Sequence, residues 1–352
     1  MSRPSIFAVP AILAVTAVAL AACGQTARSG ASAEQPCARH GSAFAIPCAA
    51  VPAPSASASS SSPAPGTAPV FAYYYMWMQG SYWSTNKLDH PVQPFPGNYN
   101  SMDPAVINSQ IVQAKAAGIT GFLVSWKDTA TYRKILPEVE SAANQNNFKL
   151  ALFYESINAA KQPVSVSIVA ADYTYFVATY ASNPAWYTIN GKVLTAWDGT
   201  QRYSPASVAS VTSPVRSRVL VLSTGNNVAE YQRLAAVTDG DAYYWSSNNP
   251  ATSPQAGAKL ASMGAAVHQK NGVWIAPFAP GFNATLIGGH LIVPRSNGST
   301  LKSEYALAAA SAPDILGLIS WNEWTENTYM EPSVNFGSTY LNVLKGLISP
   351  AA

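Results

Sequence analysis

Two glutamates at the end of a short apolar run are the residues of this chain best placed to do chemistry. Glu323 and Glu326 follow the run at 315–320, which predicts a buried strand. If the chain turns helically after that strand, both carboxylates share one face, with Cβ atoms roughly 5–6 Å apart. Two carboxylates that close cannot both ionise cheaply, so the pKa of one rises while that of the other stays low. This split supplies an acid and a base at the same pH, which cleavage of a glycosidic bond requires.

The residues around this pair fit the same chemistry. Trp321 and Trp324 have flat apolar faces of the kind on which sugar rings stack. Asn322 is suited to orient Glu323 or to bind a sugar hydroxyl. We expect both glutamates to lie on a surface-facing turn. The alternative is a capped helix start with exposed acids, which does not need two Trp and two Glu within six residues.

The segment WNEWTENTYMEPS, residues 321–333, resembles the closing motif of glycoside hydrolase family 99. The usual form of that motif is close to F or W followed by N-E-W-H-E-G-T-x-x-E-P. Its first two glutamates are catalytic in the family, and they correspond to Glu323 and Glu326. The sequence departs from the motif at Thr325, where His is usual, and at Asn327, where Gly is usual. Neither change removes a carboxylate, but both alter the wall of the predicted pocket.

The resemblance implies retaining hydrolysis by an unusual route. Glu323 acts as a base toward the sugar 2-hydroxyl, which attacks the anomeric carbon to give a 1,2-anhydro sugar. Glu326 protonates the leaving oxygen and then activates water. A double displacement with one glutamate as direct nucleophile is the alternative within enzymes.

Other segments resemble the same family less specifically. GNYNSMDPAVINSQIVQAKAAGITGFLVSW (97–126) resembles the family's region near its start, where Tyr99 and Trp126 fall on the pattern. FYES, DGDAYYWSSN and IAPFAPGFN resemble segments further along. They imply site positions for Glu155 and Tyr244, and Arg295 falls near an arginine of the family.

Eight short β runs alternate with helical segments along the chain, which predicts an α/β fold of the (β/α)8 TIM barrel type. The length from 70 to 352 suits a single catalytic domain, since such barrels typically need ~250 residues. A doubly wound sheet is the alternative, but no GxGxxG follows a strand. The predicted strands are 71–76, 119–125, 149–154, 193–197, 218–223, 242–245, 273–277 and 315–320. The predicted helices are 104–117, 131–146, 164–181, 228–236, 254–269, 303–310 and 338–347.

Aromatic and acidic residues recur just past the predicted strands. Barrel enzymes place their sites at this C-terminal face, so the recurrence suits a carbohydrate cleft. Asp89 and His90 lie in the loop after the first strand, where we expect a solvated pair; the alternative is that the pair reaches the site. We assign substrate contacts to eight residues, namely Tyr99, Trp126, Glu155, Tyr244, Trp245, Asn322, Trp324 and Arg295.

The N-terminus predicts export. Residues 1–22 have the basic start and apolar run of a signal peptide, and the run is too short for a spanning helix. Leu20-Ala21-Ala22-Cys23 resembles a bacterial lipobox, which makes Cys23 the lipidated first residue of the mature protein; ordinary cleavage after Ala22 is the alternative. Residues 23–69 contain an Ala/Pro/Ser-rich tether. The predicted location is the outer side of the bacterial cell membrane, in the cell envelope.

Composition excludes several other classes of function. A net charge of +3 with only 11% charged residues does not suit nucleic-acid binding. The four His form no HExxH or other ligand spacing, and no P-loop or G-x-S-x-G is present, so we expect neither a metal nor a cofactor. The three Cys are at 23, 37 and 48, and the pair left after lipidation is compatible with a disulfide in an oxidising compartment.

The sequence therefore predicts a lipid-anchored, exported glycoside hydrolase that acts with retention on a polysaccharide or oligosaccharide. An α-mannan is one candidate substrate, and an open cleft favours endo action. The alternative from another class is a lipid-anchored carbohydrate-binding protein without turnover. The closely spaced pair Glu323 and Glu326 argues against it, because binding alone does not need two such acids.

Overall fold

The computed structural model describes residues 68–84, 88–92 and 98–348. The predicted signal peptide, Cys23, the Cys37–Cys48 pair and nearly all of the tether lie outside the described residues. Among those that are described, no helix has the length and apolar character needed to cross a membrane.

The described residues contain a ring of eight parallel strands, each followed by a helix. The strands are β1 (Val70–Tyr74), β2 (Gly121–Trp126), β3 (Lys149–Glu155), β4 (Thr188–Ile189), β5 (Lys192–Asp198), β6 (Val219–Leu222), β7 (Gly240–Ala242), β8 (Val273–Phe278), β9 (Phe282–Asn283), β10 (Ile292–Val293) and β11 (Ile315–Leu318). Neighbours in the ring pair in the order β5, β3, β2, β1, β11, β8 and β7, with β6 on the other edge of β5. The ring closes between β6 and β7 through a parallel bridge of Ser223 with Asp241, where the Ala242 N–H donates to the Ser223 carbonyl at 2.7 Å.

The predicted (β/α)8 barrel is confirmed, and the helices cover its outer face. They are α1 (Pro104–Ala116), α2 (Tyr132–Gln145), α3 (Val166–Thr179), α4 (Pro205–Val215), α5 (Val228–Leu234), α6 (Ala256–His268), α7 (Ser299–Ala309) and α8 (Thr339–Ile348). Helix α4 is not among the predicted helices. Its start carries an ordinary signal, since the Ser204 side chain accepts from the Ser207 N–H and Pro205 occupies the first turn.

Two small antiparallel pairs accompany the barrel. A hairpin at Asn190-Gly191 joins β4 to β5, and both residues have positive φ, as a two-residue type I′ turn requires. The pair β9–β10 is not predicted by the sequence. It lies against the loop that follows β11, because the Asn283 N–H donates to the carbonyl oxygen of Glu326 at 2.8 Å.

Alternate residues of each barrel strand pack into two separate layers. In β1, Phe71 and Tyr73 join a cluster inside the barrel, while Ala72 and Tyr74 join the cluster beneath the helices. This follows from the two-residue period of a strand, with both faces of a parallel sheet buried. A side chain at a strand end therefore reaches the barrel mouth only if it has the inward register.

Candidate active site

The loop after β11 carries the predicted acid pair at the mouth of the barrel. Residues 324–327 form a turn and not the start of a helix, with the Asn327 N–H donating to the Trp324 carbonyl at 3.2 Å. Asn327 takes a φ of 55°, a left-handed value that asparagine tolerates better than most residues. Glu323 and Glu326 are only 2% and 5% exposed, so the expected surface-facing turn is wrong. Residues supplied by other strands bury both carboxyl groups.

Glu323 is held through one carboxylate oxygen by its neighbour Thr325. Oε1 of Glu323 accepts from the Thr325 N–H at 3.1 Å and from the Thr325 hydroxyl. The Glu323 N–H in turn donates to Oγ of Ser320 at 2.8 Å. Burial raises the pKa of Glu323 to about 7, against the hydrogen bonds from Thr325, which favour the charged form.

Glu326 has a different environment, although it lies in the same turn. Its Oε2 is buried and has no hydrogen-bond partner among the described residues. Burial, and next the charges of Glu323 and Glu155, raise the pKa of Glu326 well above its usual value. Glu326 therefore holds its proton more tightly than Glu323, which ionises more easily. The pair can act as one acid and one base.

Two further carboxyl groups reach the same end of the barrel from neighbouring strands. Glu155 ends β3 and Asp198 ends β5, and the two residues are paired in register. Oε1 of Glu155 accepts from the Ser125 hydroxyl at 2.8 Å. Burial, followed by the charge of Glu155, raises the pKa of Asp198 to about 8. The site thus holds more buried carboxyl groups than can be charged together. Asp198 is not among the predicted site residues, although its inward register at a strand end signals it.

Tyrosines with the inward register complete the site. The hydroxyl groups of Tyr75 and Tyr244 are 2.8 Å apart, and the ring of Trp77 lies 4.4 Å from that of Tyr75. Burial and the charge of Glu326 raise the pKa of Tyr244, which places its hydroxyl within electrostatic reach of the acid. Tyr244 is a predicted contact, whereas Tyr75 is not.

Three of the predicted substrate contacts instead hold, from behind, the loop that carries Glu323 and Glu326. The Asn322 side chain makes two hydrogen bonds to the backbone of Tyr75, accepting from its N–H at 2.8 Å and donating to its carbonyl at 2.9 Å. The Tyr99 hydroxyl donates to Oε2 of Glu331 at 2.9 Å. Arg295 donates to the carbonyl oxygens of Asn327 and Tyr329 at 3.0 and 2.7 Å. These buried side chains position the loop, so the expectation that Asn322, Tyr99 and Arg295 contact the sugar is corrected.

The predicted aromatic contacts also need correction. Trp126 is fully buried beneath the helices, with its ring 5.8 Å from that of Phe176 on α3. Trp245 packs against the same outer cluster, under the ammonium group of Lys259 on α6. Trp321 is fully buried in that cluster as well. Each has the outward register of its strand or loop, which is the physical reason that it misses the mouth.

Trp324 lies inside the barrel mouth and stacks on Tyr329, with ring centroids 4.2 Å apart. The two stacked rings form part of the wall of a cavity of about 250 Å³, which Thr325 and Asn327 of the turn also line. Asp89 lines the same cavity, where its Oδ2 accepts from the Tyr329 hydroxyl at 2.7 Å. The expected solvated pair at Asp89 and His90 is therefore wrong for Asp89.

Asn322→Ala is expected to lower the free energy of unfolding by about 2 kcal/mol or more, because it leaves the buried N–H and carbonyl of Tyr75 unpaired. Urea titration of both proteins measures the change. Asn342→Ala, at an exposed position on α8, is the matched control and should stay within about 0.5 kcal/mol of the wild type. An equally small change in the free energy of unfolding for Asn322→Ala would contradict the stabilising role of its hydrogen bonds to Tyr75.

The acid–base split predicts the pH dependence of the reaction. Glu323 must lose its proton to act as a base, so kcat/KM should rise through about pH 7, where this pKa lies, and fall only where Glu326 ionises at higher pH. Thr325→Val removes a donor to the charged form of Glu323 and should move the rising limb to higher pH. Thr325→Ser, which keeps the hydroxyl, is the control. A rising limb near pH 4–5, the ordinary range of a glutamate, would contradict the buried site.

Among the described residues, no three His, Cys, Asp or Glu side chains are grouped to hold a metal ion. Independence from metals stays a prediction, and unchanged activity after chelation would support it.

The sequence model of a known family matches most of this chain. The model is described as "Glycosyl hydrolase family 99" and covers residues 77–344. This range includes β2 to β11 and the turn that carries Glu326, whereas β1 and Tyr75 precede it.

Individual relatives agree with the family match. A glycoprotein endo-alpha-1,2-mannosidase-like protein of Danio rerio is 24% identical over 68% of this chain and 59% of its own length. The glycoprotein endo-alpha-1,2-mannosidase of Rattus norvegicus is 23% identical over 73% and 60%. The chain thus spans about three-fifths of the length of these relatives.

The fold matches a solved structure of the same family. The family 99 endo-alpha-mannosidase of Bacteroides thetaiotaomicron superimposes with a TM-score of 0.69 at 21% identity, over 80% of this chain and 95% of that one. The likeness at this identity is one of fold. Given the model match over 77–344, the chain belongs to glycosyl hydrolase family 99.

Proposed function

We propose that this protein hydrolyses glycosidic bonds within a polysaccharide or oligosaccharide, with an α-linked mannan as the first candidate. The observation that carries the proposal is the buried pair in one turn, with Glu326 holding its proton and Glu323 ionising near neutral pH. The names of the relatives favour α-mannose linkages and cleavage within a chain.

The proposed reaction proceeds with retention in two steps. In the first, Glu323 takes the proton of the sugar 2-hydroxyl, whose oxygen bonds to the anomeric carbon as the bond to the leaving oxygen breaks. Glu326 gives its proton to that leaving oxygen. In the second step, Glu326 takes a proton from water and the water oxygen bonds to the anomeric carbon as the bond between that carbon and the 2-oxygen breaks. Glu323 returns its proton to the 2-oxygen. Each step inverts the anomeric carbon, so the product retains the configuration of the substrate.

Burial of the pair supports this assignment over two exposed acids. A carboxyl group keeps its proton above its ordinary pKa only where water does not stabilise the charged form. Glu326 is 5% exposed, which meets this condition. Thr325 restricts Glu323 to one orientation, as a base that must face a single hydroxyl requires. Direct attack by Glu323 on the anomeric carbon is the competing route, and it also gives retention.

Incubation with a panel of polysaccharides tests the activity. Wild-type protein should release new reducing ends from an α-mannan, and not from a β-mannan or a β-glucan, while Glu326→Gln should release far fewer. Binding of α-mannan without any release by the wild type would overturn the proposal and leave a carbohydrate-binding protein.

We also propose that the protein is exported and anchored through a lipid on Cys23. Support comes from the sequence, in which a lipobox-like tetrapeptide follows the apolar run. The wild type should then partition into the detergent phase, and Cys23→Ala should move the protein to the aqueous phase. Cys37→Ala is the matched control and should leave the partition unchanged. Wild-type protein found wholly in the aqueous phase would contradict the anchor.

A further inference from the structure

The cavity beside the catalytic turn has a mixed polar and aromatic lining. One wall is the turn itself, with Trp324, Thr325 and Asn327. The segment that follows β9 contributes Thr285 and Leu286 to the lining. Asp89 of the first loop lines the cavity as well. Three separate loops therefore meet around a volume of about 250 Å³.

Both positions at which the closing motif departs from its usual form line this cavity. Thr325 is a smaller side chain than the usual histidine, so it leaves open space that an imidazole would occupy. Asn327 adds an amide where the usual glycine has no side chain, and it does so at a φ of 55° that asparagine can adopt. The same two changes thus enlarge the cavity and add a hydrogen-bonding group to it.

The lining chemistry suits a neutral sugar. Asp89 supplies a carboxylate, and three asparagines supply amides, at positions 283, 327 and 335. Trp324, Tyr329 and Phe336 contribute aromatic atoms to the wall, with Trp324 stacked on Tyr329 and Arg295 lying over the rings of Tyr329 and Phe336. Among the described residues, the lining includes a carboxylate and no lysine or arginine, which disfavours an anionic group. Its volume is below the ~300–1,000 Å³ typical of pockets for drug-sized ligands, so it accommodates a single ring better than several.

The cavity also connects directly to the catalytic base. Thr325 lines the cavity and donates to Oε1 of Glu323 through its N–H and its hydroxyl. Asp89 is fixed in place by the Tyr329 hydroxyl at 2.7 Å and by the Asn335 N–H at 3.2 Å. These two hydrogen bonds hold the Asp89 carboxylate in the lining of the cavity.

We infer that this cavity is a subsite for one neutral sugar residue of the substrate, and that Thr325 and Asn327 determine what it accepts. The inference rests on the proposed hydrolase function and adds to it a binding position specific to this chain. An occupied subsite beside the base favours substrates long enough to fill it. Selectivity for chain length is therefore the measurable consequence.

Filling the cavity tests the subsite. Thr285 is exposed at the cavity wall and its side chain makes no recorded hydrogen bond, so Thr285→Trp adds bulk there without removing a contact. Thr188→Trp is the matched control, because Thr188 is exposed on β4, next to the starts of β3 and β5 at the opposite end of the barrel. The probes are α-1,2-linked mannobiose, mannotriose and mannotetraose. The readouts are kcat/KM for each, and the dissociation constant of each for the same variants made in a Glu326→Gln background.

Thr285→Trp should reduce the advantage of mannotetraose over mannobiose by at least about 10-fold in kcat/KM, and weaken mannotetraose binding by a similar factor. Thr325→His should reduce the same ratio, because the imidazole enters the cavity. Equal ratios for Thr285→Trp, Thr188→Trp and the wild type, with hydrolysis intact, would overturn the subsite and leave the proposed function standing. Mannotetraose binding that Thr285→Trp weakens, in a protein that cleaves none of the probes, would support the subsite and overturn the function.

Discussion

Glu326→Gln is expected to lower kcat/KM on an α-linked mannan by about 10²–10⁴-fold, the range of a general acid. The amide has nearly the shape of the carboxyl group but no proton of suitable acidity for the leaving oxygen. Because Oε2 of Glu326 has no hydrogen-bond partner among the described residues, the change breaks no recorded side-chain contact. The thermal midpoint should therefore remain close to that of the wild type.

A series of aryl glycosides tests the assigned role of Glu326. A leaving group of low pKa needs little protonation, so Glu326→Gln should recover most of its activity on such a substrate. Glu138→Gln, at an exposed position on α2, is the matched control and should behave as the wild type throughout. A loss that is the same for good and poor leaving groups would assign Glu326 a role other than proton donor.

Glu323→Gln is expected to cause a loss of similar size that a good leaving group does not restore. The amide oxygen still accepts from Thr325, so the turn keeps its hydrogen bonds. It cannot take a proton from the sugar 2-hydroxyl, and the first step then lacks its base. The double variant with Glu326→Gln should lose less than the product of the two single losses, because both groups serve one transition state.

A substrate lacking the 2-hydroxyl separates the two retaining routes. By the proposed route the wild type should not cleave a 2-deoxy substrate, since the attacking oxygen is missing. Efficient cleavage would favour direct attack by Glu323 on the anomeric carbon. Near-wild-type rates for both single variants on the natural substrate would place the active site elsewhere.

The strand–helix order of the barrel can be predicted from the sequence, whereas the register of its aromatic residues cannot. Each predicted barrel strand has a counterpart in the structure, because turn residues and helix caps mark the boundaries. Both faces of a parallel strand are buried and apolar, so the pattern of β2 does not distinguish inward Ser125 from outward Trp126. An aromatic residue just past a strand can therefore lie in either layer, and Trp126 and Trp245 lie in the outer one and not at the predicted site.

The burial of Glu323 and Glu326 also cannot be predicted from the residues next to them in the sequence. Glu323 and Glu326 are buried by partners far away in the chain. Asn322, which precedes Glu323, is held by the backbone of Tyr75, and the two residues are 247 positions apart in the sequence. The pattern of the closing motif predicts which carboxyl groups matter. Burial raises both pKa values, and the charge of Glu155, on another strand that only the closed barrel brings close, raises both further.

The configuration of the first product tests the central claim most directly. Proton NMR would follow an α-1,2-linked mannan oligosaccharide during the first minutes of hydrolysis, before mutarotation mixes the anomers. The α-anomer should appear first with the wild type, and Glu323→Gln and Glu326→Gln should produce almost none in the same time. A β-anomer as the first product would contradict retention by the Glu323 and Glu326 pair, and unimpaired product formation by either variant would contradict the pair itself.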